Sequence, residues 1–72
     1  MCAEEFSSLA YKDQLRVINS SGKLKRSQIV GDYQFTLYRV KDFYVELKRS
    51  LHELTFETIT ALRMKDLPEE YK

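Results

Sequence analysis

The sequence predicts a single α+β domain over residues 1 to 72, with an N-terminal helix packed on one face of a three- to four-stranded antiparallel meander and a short C-terminal helical turn. Three observations carry this. Strand-like segments follow one another from residue 24 to residue 62. Short turn-forming stretches separate them. A helix-spaced segment bounded by serines and a glycine comes first.

The helix is read over residues 7 to 20. Ser7 or Ser8 can accept one of the unpaired backbone N–H groups at its start. With Ser7 as the cap, Phe6 and Tyr11 stand at hydrophobic-staple spacing. Asn19-Ser20-Ser21-Gly22 ends the helix, Gly22 being free to take positive φ. Tyr11, Leu15 and Ile18 share one face, while Ala10 and Val17 lie almost opposite. Either a broad apolar stripe packs on the sheet or the second stripe meets another chain.

The first strand is read over residues 24 to 30, and Gly31-Asp32 then suits a tight hairpin turn. Next, Tyr33, Phe35 and Leu37 face one way and Gln34, Thr36 and Tyr38 the other. Val40-Lys41-Asp42 reads as a three-residue loop, with Asp42 in the left-handed conformation. Phe43, Val45 and Leu47 then alternate with Tyr44, Glu46 and Lys48. This loop pairs Leu37 with Val45 and Phe35 with Leu47, apolar on apolar. A loop over residues 49 to 52 similarly pairs Leu47 with Leu54 and Val45 with Phe56.

Residues 54 to 62 favour a strand by their Thr, Ile and Phe content, although their spacing also fits a helix. Their alternation slips after Phe56, which a bulge near Glu57-Thr58 repairs. Acids around Pro68 mark a C-terminal helical turn. The expected core is Phe35, Leu37, Phe43, Val45, Leu47, Leu54 and Phe56, covered by Leu15 and Ile18.

Composition narrows the function classes. One cysteine, Cys2, excludes an internal disulfide, and one histidine beside it argues against zinc. A small core without such supports raises the prospect of self-association. No apolar run reaches the ~18 residues of a membrane span. The acidic start, Met-Cys-Ala-Glu-Glu, does not read as a secretory signal, so a cytoplasmic protein is expected. No cofactor site, metal site or small-molecule substrate site is legible. His52 beside Glu53 and the pair Glu46 and Glu57 read as solvated groups, so a non-catalytic protein is expected.

The expected contact surface is the polar sheet face, with Tyr38 opposite Tyr44 and with Glu46 and Lys48 beside them. Its partner is another protein or a second copy of this chain; the helix stripe at Ala10 and Val17 and edge pairing through the weakly patterned first strand are the other routes to self-association. Single-stranded nucleic acid is the alternative. Residues 22 to 49 carry seven Lys/Arg against three acids, and tyrosines on an open sheet face can stack bases. Against this, the order of elements differs from β-α-β-β-α-β, and the glycine-aromatic signature of RNA-recognition domains is missing.

The stretch from Leu37 to Glu46, with Leu9-Ala10-Tyr11 and Gln14-Leu15 ahead of it, resembles small bacterial proteins in which a helix precedes an antiparallel sheet. The resemblance covers about 20 residues and departs at Leu47-Lys48, where an aromatic pair continues their strand. It implies the same helix-plus-sheet fold, no assigned activity and no functional residue.

Overall fold

The computed structural model describes residues 1–53, 57–67 and 69–71. Two helices, α1 (Ala3–Ser7) and α2 (Tyr11–Ser21), precede β1 (Lys23–Val30), β2 (Tyr33–Val40), β3 (Phe43–Ser50) and β4 (Glu57–Arg63). Two 3-10 turns follow, Met64–Asp66 and Glu69–Tyr71. The sheet is an antiparallel meander in the order β1-β2-β3-β4. The expected class, helix on meander with a C-terminal turn, is the observed one.

The expected single helix over residues 7 to 20 is two. Ser7 closes α1, and Ala10 rather than a serine begins α2. The first helix starts at Cys2, whose backbone N–H donates to Glu5 Oε1 at 3.1 Å. That is the return half of a capping box, with Glu5 at the third helical position. Hydrogen bonds at Cys2, to its side chain first and its backbone second, hold the Glu5 carboxyl below its ordinary range. Phe6 is therefore a helical residue and fully buried at 0% exposure, not a staple, while Tyr11 is exposed. Gln14 Nε2 donates to the Phe6 carbonyl at 3.1 Å and ties α2 to the end of α1.

Gly22 ends α2 in extended backbone, φ −79° and ψ 138°, rather than at positive φ. Its lack of a side chain matters for a different reason. A Cβ there would stand 2.6 Å from the Ile18 carbonyl oxygen.

The β2–β3 connection has two residues, not three. Val40 pairs with Phe43, Tyr38 with Val45 and Thr36 with Leu47. Lys41 takes the left-handed conformation expected of Asp42, at φ 53°. Shortening a hairpin loop by one residue slides the register by one and turns β2 over relative to β3. Phe43, Val45 and Leu47 consequently share the helix-covered face with Val40 and Tyr38, and Phe35 and Leu37 lie on the opposite face. Phe6, Ala3 and Ile18 meet Val40, Phe43 and Val45 to form the buried cluster, with the Phe6 and Phe43 rings 5.6 Å apart. Val17 packs against this cluster too, so it belongs to the core rather than to a second, outward stripe.

The residue 31–32 turn is as expected. Val30 pairs with Tyr33 across it, and Gly31 supplies a φ of 61°. Residues 57–63 form the expected strand, and Ile59 and Ala61 point inward against Leu47 and Val45. Its pairing with β3 is continuous from Glu57 to Arg63, so no bulge lies at Glu57-Thr58. Leu47 and Val45 pair with Ile59 and Ala61 rather than with Leu54 and Phe56, two expected core positions outside the described residues. No helix among the described residues is long and apolar enough to cross a membrane.

Candidate functional site

Two surfaces stand out, and strand alternation positions both. The first is the sheet face away from the helices. Cross-strand pairing arranges it in rows: Lys23, Arg39, Tyr44 and Leu62; then Arg26, Leu37, Glu46 and Thr60; then Gln28, Phe35, Lys48 and Thr58; then Val30, Tyr33 and Ser50. Three aromatics and four cations thus share this face with one carboxylate, Glu46.

The Lys48 ammonium lies 4.3 Å from the Tyr33 ring centroid and 5.8 Å from that of Phe35. Its charge is attracted by the rings' negative faces. Tyr71 reaches this face from the C-terminal turn, its hydroxyl donating to Glu46 Oε2 at 2.6 Å. Leu37, in the Glu46 row, is only 3% exposed although it faces away from the helices.

The second surface is the β1 edge. Helix α1 lies against β4 and α2 against β2, which leaves β1 little covered. Leu24 and Ile29 are each 63% exposed and Val30 57%. Edge strands offer unpaired N–H and C=O groups, and proteins blunt them with charges and bulges. Both devices occupy the first half of β1: Lys23, Lys25 and Arg26, with a register shift between Leu24 and Arg26. The second half, Ser27-Gln28-Ile29-Val30, carries neither.

The structure divides the four contact residues expected from sequence. Tyr44, Glu46 and Lys48 share the outer face, while Tyr38 packs toward the helices against the core. There it lines a 190 Å³ cavity with Gln34, Thr36, Leu47 and Arg49, beyond the reach of the helices. The one-residue change of register that moved Leu37 outward moved Tyr38 inward. Tyr33 and Phe35, assigned to the core face by sequence, take its place among the outer aromatics. A residue at the tip of a hairpin that is both apolar and next to the turn, as Val40 is, was the available signal for the shorter loop.

Other polar groupings are local. His52 Nε2 lies 3.2 Å from Asp32 Oδ1 on an exposed turn, and Ser50 Oγ accepts the backbone N–H groups of His52 and Glu53. Its hydroxyl oxygen thereby satisfies two amides of the turn that follows β3. Among the described residues no three His, Cys, Asp or Glu side chains are grouped to hold a metal.

Compared with known proteins, the chain matches no family model, no curated protein and no solved structure.

Proposed function

We propose that this chain is a small, non-catalytic, cytoplasmic protein-interaction module that forms a homodimer through its β1 edge. The observation that carries the reading is the unprotected half of that edge, with Ile29 and Val30 exposed on opposite faces. Antiparallel pairing of two copies centred on Gln28 sets Ile29 opposite Ser27 and Val30 opposite Arg26 of the second copy. It also keeps the basic first halves of the two strands apart, whereas parallel pairing would stack them. The product is one continuous sheet in which each chain covers aliphatic surface on both faces. Burying a side chain of this size contributes about 1.5–3 kcal/mol before ordering costs. A short domain without disulfide or metal gains most from such support. Sedimentation equilibrium tests the reading: a wild-type dimer at micromolar concentration that Ile29→Lys converts to monomer is expected. A monomeric wild type ends it.

A second reading rests on a separate observation, the outer face with Tyr33, Phe35 and Tyr44 among Lys23, Arg26, Arg39 and Lys48. Aromatics flanked by cations are what single-stranded nucleic-acid platforms require. On this reading binding falls steeply with salt, as counterions are released, and Tyr44→Ala weakens it by about 1–3 kcal/mol. A titration with a single-stranded oligonucleotide that shows no binding at low salt removes it.

A further inference from the structure

We infer that the sheet end nearest the close of α2 holds a binding site for phosphate groups. A cavity of 340 Å³ there is lined by Ser21, Lys23, Lys25, Arg39 and Lys41, with no carboxylate. Four cations and a hydroxyl favour an anionic oxygen ligand, for which their hydrogen bonds are charge-assisted. None of the four cations makes an ion pair among the described residues. Arg39 is oriented by its own turn, Nε donating to the Lys41 carbonyl at 3.1 Å. That bond uses one guanidinium donor and keeps the terminal nitrogens for a ligand.

The backbone adds an independent argument. Among the described residues, the register shift falls at Lys25 and the one non-glycine residue at positive φ is Lys41. A two-residue turn calls for positive φ at its first position, as Gly31 shows in the β1–β2 turn, so the unusual feature at Lys41 is a lysine where glycine serves at less cost. A left-handed lysine costs stability, and local backbone strain collects where function over-determines it. Complementing the C-terminal dipole of α2 accounts for one cation near Ser21. Protection of the β1 edge accounts for the bulge, Lys23 and Lys25; neither effect accounts for Arg39 and Lys41 lining the same cavity.

The ligand chemistry is a phosphate group, free as in pyrophosphate or carried on a phosphodiester backbone. Calorimetric titrations of the full chain with pyrophosphate and with a short single-stranded oligonucleotide, at low salt, separate the two sources. Lys25→Gln and Arg39→Gln are each expected to weaken binding about tenfold, the loss of one charge-assisted contact. Lys41→Gly is expected to weaken binding similarly while raising the melting temperature, because it removes the cation and the strain together. Lys12→Gln, at the start of α2 and nine residues along that helix from Ser21, is the control. Saturable pyrophosphate binding lost in the cavity variants supports the site with free phosphate as its ligand. Binding of the oligonucleotide alone, lost in the same variants, supports it with a phosphodiester. No binding of either probe overturns the site, as does weakening by Lys12→Gln equal to that of the cavity variants.

Discussion

Phe6→Ala separates two accounts of the N-terminus. As a staple ahead of a helix, Phe6 would touch one neighbour and its loss would be mild. In the structure it is a fully buried residue of α1 whose ring sits 5.6 Å from that of Phe43, over Val40 and Val45. Truncating a phenylalanine in such a place costs about 3–5 kcal/mol, the lost transfer energy plus the cavity left behind. A 72-residue chain has a total stability of roughly 4–11 kcal/mol at ordinary values per residue. The substitution therefore removes about a quarter of the stability at least, and in the marginal case all of it. Urea melts followed by circular dichroism suit a chain with no tryptophan. Tyr11→Ala, at a residue 48% exposed, is the internal comparison and is expected to cost under about 1 kcal/mol. A Phe6→Ala loss no larger than that of Tyr11→Ala refutes the docking of α1 on the sheet.

Two further outcomes follow from local geometry. Gly31→Ala has open space around the new methyl group, so its cost is that of a left-handed alanine, about 1–2 kcal/mol in the same melts; no loss would mean that the turn is not at positive φ. For Glu5, the lowered carboxyl pKa means that its contribution is present above the unfolded-state value and is lost as pH falls through the folded one. Wild type is thus expected to be more stable than Glu5→Gln near neutrality, the difference closing as pH falls below the ordinary carboxylate range, and a difference that does not change with pH would contradict the helix cap.

Much of this fold can be read from local chemistry. Alternation placed β2 and β3, residue content favoured a strand at β4, and Gly31 marked a turn that needs positive φ and so the end of β1. Ile18, Phe43 and Val45 were legible as core because each lies on an apolar face of its own element. The relation of β2 to β3 was not legible, because apolar residues occupy both faces of these strands. With Phe35 and Leu37 on one face of β2 and Tyr38 and Val40 on the other, either face can meet Phe43 and Val45; the observed register chooses Tyr38 and Val40 and sets Leu37 against Glu46 and Phe35 against Lys48. The choice then falls to the turn, where a lysine gives no sign of adopting the left-handed conformation that Asp42 favours. The same ambiguity sent Tyr38 to the wrong face while leaving Tyr44, Glu46 and Lys48 together. Helix α1 was missed because a cysteine holds the position where serine or threonine announces a capping box, although Glu4-Glu5 ahead of Phe6 carried the acidic half of the signal. The weakly patterned first strand was legible as an edge open to pairing, whereas the register shift that confines its protection to the first half was not.

The central claim is that β1 pairs with β1 of a second copy, and amide hydrogen exchange as a function of concentration reads it directly. Edge pairing converts solvent-facing amides within residues 26–30 into bonded ones, so their protection is expected to rise with protein concentration in step with dimer formation. Amides of β3, already paired on both sides, serve as the reference. The same rise should be absent in Ile29→Lys. Protection in residues 26–30 that stays at its dilute value while the chain dimerises would contradict the claim and place the interface elsewhere.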